Sequence, residues 1–396
     1  MNTSPVAVQF ALVMLLGDAS GDPRPRRYID LLISQGYTVD VVGHLPKKPL
    51  PVRRVFEIKR QKSSWAFLQF RLISYLKRIL TIFGVVGFVN DKLNDLVFGL
   101  NGLGKIIKAH NYKLIVVEDI FLLPLATKYG NGAKIIFDAR EYYPLQNEER
   151  FLWRKLEKPD RIRICKSYLP KCDYVITVSP GLARRYDAEF GTQCIVLRSV
   201  PFYKERSFKP TEADKIKIVH HGIANPNRKL EHMIDVVKLL DARFSFDMYL
   251  AGTQSYIDAL KIYAQSMDAV RICDPVPYDE LDAMLSSDYD VGFFYNDPLT
   301  FNLRHSLPNK LFEFIQARLA VAIAPSPDMV EILSEFGCGV IAQGFSVEFM
   351  AESLNKLTAE DIDVMKQNAD KAARVLNYEL ESLRFLEILN KINKNE

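Results

Sequence analysis

Short apolar runs that favour β-strands alternate with helical patterns along almost the whole chain, and this alternation restricts the fold more than any other feature. In the first half the runs are "QFALVMLL", "YTVDVVG", "KLIVVED", "AKIIFDA", "DYVITVS" and "QCIVLRS". After the polar segment 201–214 the alternation begins again with "KIKIVHHG", "FSFDMYLAG" and "DYDVGFFY". Apolar strands separated by helices are typical of parallel sheets that are covered on both faces. The sequence therefore predicts two Rossmann-like, doubly wound α/β domains that face each other across a ligand-binding cleft.

The length of 396 residues also favours two domains, because a single core seldom organises so long a chain. We place an N-terminal domain at residues 1–205, a C-terminal domain at 206–378 and a final helix at 379–396. That helix is expected either to cap the second sheet or to cross back to the first domain. The helical tail 358–396 carries four leucines at helical spacing, Leu376, Leu380, Leu383 and Leu386.

The composition argues against several classes of function. Lys and Arg exceed Asp and Glu by 52 to 48, a balance too even to indicate a nucleic-acid partner. The five cysteines are scattered and form no CxxC motif, which predicts no structural metal and a reducing compartment. No stretch has the roughly 18 uncharged apolar residues of a spanning helix, so we expect a soluble or peripheral protein.

Residues 53–90 interrupt the α/β alternation. Eight basic residues stand against Glu57 alone and give a net charge of +7 over residues 53–78. One helical stripe is apolar and contains Trp65, Leu68, Leu72, Leu76, Ile79 and Phe83. A basic helix with an apolar face predicts binding to an anionic membrane surface; the alternative is an ordinary helix pair with a solvated basic side.

"GDASGDPRPRR" follows the first predicted strand and precedes a helix, where a substrate would approach the backbone. Gly17 would permit that approach, although a plain strand-to-helix turn explains the glycine equally well. The spacing is not GxGxxG, so a dinucleotide site is not predicted. "DYD" at 288–290 resembles a metal-binding acid pair, but we expect Asp288 to end a helix and Asp290 to begin a strand.

"VHHGIANPNRKLEHMID" ends a strand at His220, opens a loop at Gly222 and places Arg228 and Lys229 at a predicted helix start. Two cations beside a helix N-terminus suit a diphosphate. The alternative is a solvated basic turn.

"SLPNKLFEFIQARLAV" begins a helix at Pro308 and puts Lys310 and Glu313 on one face, one turn apart. A lysine there can meet a phosphate, and a carboxylate can accept both hydroxyls of a ribose. The alternative is an exposed ion pair.

These segments together resemble GT-B glycosyltransferases, in particular the retaining glycosyltransferase family 4. The donor half resembles the family in "VPYDELDAMLSSDYD", "DVGFFY" and "PNKLFEFIQARLAVAIA", and the first half in "DPRPRRYIDLLISQGYTVDVVG", "IIFDAREYYP" and "DYVITVSPGLARRY". The resemblance implies an acceptor-side N-terminal domain and a donor-side C-terminal domain. It implies that Arg228 and Lys310 contact the donor diphosphate and that Glu313 holds the ribose. Segment 274–278, with Val276 and Pro277, would line the base. The segment from Leu307 through Pro308 to Asn309 would offer backbone amides to the phosphates.

Two positions depart from the family pattern. The first of two glutamates that many members carry falls here on His305, and the "DxHE" pattern reads "DARE", with Arg140 in place of the histidine. We predict His305 as a donor contact and Arg140 as a catalytic residue facing an acidic or phosphorylated group. Asp18, Asp138 and Glu141 are candidate contacts to the acceptor or the sugar.

The resemblance implies a sugar transfer from a nucleotide-sugar to a glycan or lipid-linked acceptor, with retention and without a metal or other cofactor. We expect the enzyme to act in cell-surface polysaccharide or glycolipid synthesis, in the cytoplasm and peripheral on the inner face of the cell membrane. One alternative is a sugar-nucleotide epimerase or hydrolase on the same fold, using Asp18, Asp138, Glu141 or His221. Another is a non-catalytic, membrane-associated protein that binds a nucleotide-sugar.

Overall fold

The computed structural model describes residues 8–58, 72, 75–76, 78–79, 88–295 and 297–394. The fold divides into two compact units, one formed by Met1–Leu197 with Phe385–Glu396 and the other by Arg198–Arg384. Each unit is built around one parallel sheet.

The first unit contains a seven-stranded sheet with the order β3-β2-β1-β4-β5-β6-β7. Its strands are β1 (Gln9–Met14), β2 (Tyr37–Gly43), β3 (Arg54–Glu57), β4 (Leu114–Val117), β5 (Lys134–Ala139), β6 (Tyr174–Thr177) and β7 (Ile195–Val196). The helices described here are α1 (Pro23–Ser34), α2 (Phe88–Val97), α3 (Leu103–Ala109), α4 (Leu123–Tyr129), α5 (Phe151–Leu156), α6 (Lys158–Tyr168) and α7 (Pro180–Phe190).

The second unit contains a six-stranded sheet with the order β10-β9-β8-β11-β12-β13. Its strands are β8 (Ile216–Ala224), β9 (Phe244–Gly252), β10 (Val270–Cys273), β11 (Val291–Phe294), β12 (Ala320–Ile323) and β13 (Gly339–Ile341). The helices are α8 (Glu231–Lys238), α9 (Gln254–Ala264), α10 (Tyr278–Asp288), α11 (Phe301–Arg304), α12 (Asn309–Gln316), α13 (Pro327–Phe336), α14 (Val347–Asn355) and α15 (Ala359–Val375), and α16 (Tyr378–Lys394) ends the chain.

The predicted fold class, two Rossmann-like parallel sheets, is therefore confirmed. The central strands β4, β11 and β12 are buried along their whole length, because helices cover both faces of each sheet. In both sheets the strand order reverses beside the first strand of the unit, between β1 and β4 and between β8 and β11. Such a reversal opens a crevice beyond the carboxyl ends of the strands.

Only two of the four leucines in the predicted helical pattern meet a core: Leu376 is buried, and Leu386 packs against the core of the first unit. Leu380 and Leu383 are exposed, whereas the core of the first unit includes Phe385, Ile388, Leu389 and Ile392. The hydroxyl of Tyr37 also donates to Asn393 Oδ1 at 2.9 Å. The final residues of α16 therefore complete the first unit, although the chain enters this helix from the second.

Most of the predicted membrane-facing segment, including Trp65, Leu68 and Phe83, lies outside the described residues. At its start, Arg53 is bound within the fold, because its guanidinium donates to the buried Asp40 carboxylate at 2.9 and 2.5 Å. Leu72, Leu76 and Ile79 are exposed. No helix among the described residues is long and apolar enough to span a bilayer.

Candidate nucleotide-binding site

The predicted donor residues meet at the carboxyl edge of the second sheet, where β8 and β11 are neighbours. Helix α12 supplies Lys310 and Glu313, and four of its apolar side chains, Leu311, Phe312, Phe314 and Ile315, are fully buried. Gly292 in β11 is required for this packing, since a Cβ atom there would lie 2.2 Å from the Phe314 ring. The apolar face thus fixes the helix and aims its polar edge at the end of the sheet.

Lys310 is buried, with 7% of its surface exposed. Its Nζ donates to Nε2 of His220 at 3.3 Å and lies 5.2 Å from the centre of the Phe294 ring. Gly222, at φ 140°, leaves the space for the ammonium group, because a Cβ atom there would come within 2.8 Å of Nζ. Burial and the charge of Arg228 lower the pKa of Lys310 to about 7, while Glu313 opposes the shift. The alternative of an exposed ion pair is excluded by this burial.

Arg228 ends a short 3-10 turn, Pro226–Arg228, at the same edge, and Lys229 follows it as the C-cap. The helix predicted to begin there begins instead at Glu231. Arg228 is half-buried and its burial lowers its pKa. Lys229 adopts φ 46°, is exposed, and lies 3.5 Å from the carboxylate of Asp297. Arg228 is therefore the cation next to Lys310, and Lys229 is at the rim.

Glu313 projects from α12 one turn after Lys310. Its Oε2 lies 3.3 Å from Nε2 of His221, whose pKa is lowered to about 3 by burial and by Lys310. Glu313 also lines a mostly apolar pocket of about 260 Å³. The other lining residues of this pocket are Pro201, Phe202, Lys204, Tyr278, Asp279, Leu281, Asp282 and Leu285.

The predicted backbone contacts lie in two loops of the same unit. Val276 and Pro277 connect β10 to α10, with Pro277 at the N-cap. Leu307 is buried, Pro308 caps α12, and Asn309 is exposed in its first turn. Both loops present main-chain groups at helix N-termini, which favour anions and polar ligand atoms.

His305 follows α11 and is held by a carboxylate that sequence reasoning did not identify. Its Nδ1 lies 2.7 Å from Oδ2 of Asp328, which is fully buried at the start of α13. The ring also packs against Phe301 in a tilted arrangement, with 4.6 Å between the ring centres. Asp328 therefore sets the orientation of the imidazole.

In the first unit, Arg140 follows β5 and bridges two acidic side chains. It donates to Asp22 at 2.5 Å and forms an ion pair with Glu118, whose side chain is buried. Asp22 caps α1, and Glu118 follows β4. Arg140 is thus placed at the carboxyl edge of the sheet, with a position fixed by its two partners.

Asp18 and Gly17 form a turn. The carboxylate of Asp18 accepts from the amide and hydroxyl of Ser20 at 2.8 and 2.7 Å, and these bonds lower its pKa although burial opposes them. The carbonyl of Gly17 accepts from the amide of His44 at 2.7 Å. A Cβ atom at Gly17 would meet only Leu15, at 3.7 Å. These contacts favour the plain strand-to-helix turn.

Asp138 and Glu141 differ in accessibility. Asp138 is fully buried; its carboxylate accepts from Arg24 at 2.5 and 2.8 Å and from Tyr28 at 2.9 Å. It does not reach solvent, so a direct substrate contact has no support from its position. Glu141 is partly exposed, and its Oε1 accepts from Gln146 at 2.6 Å. Burial raises its pKa to about 7, although the Gln146 bond opposes the shift.

The "DYD" motif has the structural placement predicted for it. Helix α10 ends at Asp288 and β11 begins at Val291. The Asp290 carboxylate accepts from Lys366 at 2.6 Å and from the amide of Lys217 at 2.9 Å. No cluster of three or more potential metal ligands occurs among the described residues.

No protein-family model and no curated protein sequence matches this chain. Solved structures share its fold at low sequence identity. Sucrose-phosphate synthase from Thermosynechococcus elongatus has a TM-score of 0.71 and 12% identity, over 98% of this chain and 100% of that one. WaaG, a glycosyltransferase involved in lipopolysaccharide biosynthesis, has a TM-score of 0.66 and 12% identity, over 94% of this chain and 99% of that one. The Anabaena protein HepE in complex with UDP and glucose has a TM-score of 0.65 and 13% identity, over 97% of this chain and 100% of that one. This likeness shows that the chain has the fold of those proteins.

Proposed function

We propose that the protein is a glycosyltransferase that moves a sugar from a nucleotide-sugar to a glycan or lipid-linked acceptor. The observation that carries this proposal is the buried ammonium of Lys310, which lies beside the cation Arg228. In the described part of the second unit, no carboxylate lies within ion-pair distance of this ammonium. Burying a cation without an anion is unfavourable. Such a group is expected where a ligand brings the negative charge.

The donor diphosphate would lie against Lys310 and Arg228, with Lys229 at its rim. Glu313 would hold the ribose hydroxyls, and the adjoining pocket of about 260 Å³ would take the base, with Tyr278 on its wall. His305 would contact the donor sugar, oriented by Asp328. The backbone N–H groups of Leu307 and Asn309 would complete the phosphate site, with Pro308, which has no N–H, between them.

In the transfer step, the acceptor hydroxyl oxygen bonds to the anomeric carbon of the sugar. The bond from that carbon to the phosphate oxygen breaks, its electron pair stays on the phosphate, and the hydroxyl proton also passes to the phosphate. We propose retention on the same face of the sugar. Lys310 and Arg228 oppose the charge that grows on the leaving diphosphate, so the transfer needs no metal ion.

We assign the acceptor to the carboxyl edge of the first sheet. Arg140, fixed by Asp22 and Glu118, would meet an acidic or phosphorylated group, and Asp18 and Glu141 would contact hydroxyls. Asp138 would act only indirectly, by holding α1 through Arg24. The burial of Asp138 also argues against its use by an epimerase or hydrolase, because that chemistry needs acids that a substrate can reach.

We further propose that the protein acts in the cytoplasm on the inner face of a membrane, in cell-surface polysaccharide or glycolipid synthesis. Besides the segment 53–90, helix α5 exposes 61% of Phe151 and 69% of Leu152 next to the exposed Arg150 and Arg154. Apolar side chains beside cations are suited to an anionic bilayer. Replacing Phe151 and Leu152 by Ser should reduce sedimentation with phosphatidylserine vesicles at low salt; Ile262→Ser, equally exposed in the second unit, is the control. Equal binding by both variants would argue against this surface.

The decisive experiment on the proposed function is a thermal-shift panel with UDP, GDP, dTDP, ADP and CMP, each tested with EDTA and with Mg²⁺. A nucleotide at 100 times its dissociation constant should stabilise the protein by about 2.7 kcal/mol. Lys310→Met should abolish the shift, and Lys356→Met, a surface lysine paired with Glu352, should not. The corresponding sugar nucleotide is then assayed for transfer, hydrolysis and epimerisation. Absence of any nucleotide effect, or binding without transfer, would overturn the proposal, and loss of transfer in EDTA would refute metal independence.

A further inference from the structure

Two adjacent histidines in the middle of β8 each lie beside one of the two charged groups on α12. Nε2 of His220 lies 3.3 Å from Nζ of Lys310, and Nε2 of His221 lies 3.3 Å from Oε2 of Glu313. Lys310 and Glu313 are one helical turn apart on α12. Each histidine of β8 is therefore paired with one charged group of the helix.

The hydrogen bonds of His220 fix its tautomer. Its Nδ1 lies 2.9 Å from the carbonyl oxygen of Phe293, and because a carbonyl can only accept, Nδ1 carries the hydrogen. Burial, and then the charge of Lys310, hold the pKa of His220 well below its ordinary value. The ring is consequently neutral, and the lone pair on Nε2 is directed to the ammonium.

Lys310 has few other groups to stabilise its charge. Its side chain is buried against Gly222 and the face of Phe294. Of the charged or titratable groups around it, Arg228 on the 226–228 turn disfavours the ammonium, Glu313 on the same helix favours it, and the neutral His221 on β8 is directed to Glu313. The lone pair of His220 is the hydrogen-bond acceptor that the described residues offer to Nζ.

We propose that His220 is a positioning residue for donor binding: it orients the Lys310 ammonium and keeps it protonated before the diphosphate enters. This inference rests on the donor site proposed above. The carbonyl of Phe293 acts through His220, since it selects the tautomer that can accept. When the diphosphate arrives, its oxygens become additional acceptors, and the same ammonium then opposes the negative charge of the leaving group.

The test compares two neutral amides at position 220. In His220→Gln the side-chain oxygen reaches about as far as Nε2 and can accept from Lys310. In His220→Asn the shorter amide can still donate to Phe293 but cannot reach the ammonium. The pKa of Lys310 is measured in nucleotide-free protein by NMR of lysine labelled with ¹³C at Cε, and the Lys310→Met spectrum assigns the signal.

We expect His220→Asn to lower the proton affinity of Lys310 by about tenfold, one pH unit, and His220→Gln to restore most of it. His232→Asn, a histidine of α8 packed on Tyr295, should leave the signal unchanged. The pH at which UDP or another bound nucleotide is released should move in parallel. Equal pKa values in the Asn variant and the wild type would overturn the inference even if nucleotides bind. A pKa change without any nucleotide binding would instead refute the proposed function alone.

Discussion

Replacing Lys310 by Met should make the protein more stable and inactive at once. The wild-type lysine has a pKa of about 7 in the folded protein, against about 10.4 in an unfolded chain. Between these two values the unfolded chain binds more protons, so the lysine lowers the free energy of unfolding at neutral pH and this penalty disappears as the pH rises. At pH 7 the penalty is about 4 kcal/mol as an upper bound, and at pH 9.5 it is about 1 kcal/mol. Methionine fills a similar volume without a charge.

The measurement is urea unfolding of wild type and Lys310→Met at pH 7 and at pH 9.5. The variant should gain stability at pH 7, and most of the gain should be absent at pH 9.5. Donor turnover should fall, because the activation free energy should rise by roughly 3 kcal/mol, as for a lost oxyanion contact. Lys356→Met, on an exposed pair, should show neither effect. A variant that is less stable than wild type at both pH values would refute the reasoning, because the lysine would then be satisfied within the fold.

Three further predictions concern Glu313, Arg140 and Glu141. Glu313→Gln should raise the donor KM, with a loss of about 1 to 3 kcal/mol in donor binding free energy, and should change kcat little, because a charged hydrogen bond to the ribose changes little during transfer. A selective effect on kcat in steady-state kinetics would contradict this role. Arg140→Ala alone should destabilise the first unit, because it leaves the buried Glu118 without its partner. The role of Arg140 is therefore tested in a double variant, Arg140→Ala with Glu118→Gln, which should stay folded by circular dichroism and lose transfer. Full activity of this double variant would make Arg140 purely structural. Glu141→Gln should stabilise the protein by about 3 to 4 kcal/mol at pH 8 and by about 1 kcal/mol at pH 5 in urea unfolding, because burial raises the pKa of Glu141 to about 7 in the folded protein. The penalty is absent below the unfolded pKa of about 4.3, grows as the pH rises to about 7 and is complete above that value; a pH-independent difference would mean that the carboxyl is solvated.

The sequence by itself determined the two parallel sheets and the face of α12 on which the proposed donor residues, Lys310 and Glu313, stand. Continuous apolar strands and helical periodicity are properties of residues close together in the chain, so these patterns can be recognised without knowledge of the fold. Lys310 and Glu313 share a helix face for the same local reason. The placement of Asp288 at a helix end and of Asp290 before a strand also follows from local pattern.

Only the tertiary structure decided which of these groups are buried and paired. His220 and Lys310 are distant in the chain, and their contact exists because β8 and β11 are adjacent and the ring of Phe294 lies beside both side chains. Asp138 was a candidate site residue because it belongs to the "DARE" motif, yet Arg24 from α1 occupies its carboxylate. In α16 the leucine pattern was only partly correct, since Leu386 packs against a core and Leu380 and Leu383 are exposed: helical spacing shows that a face is apolar and does not show which side chains meet a core. Burial and long-range pairing set the pKa values and the available charges, and these depend on contacts that no single segment of the sequence contains.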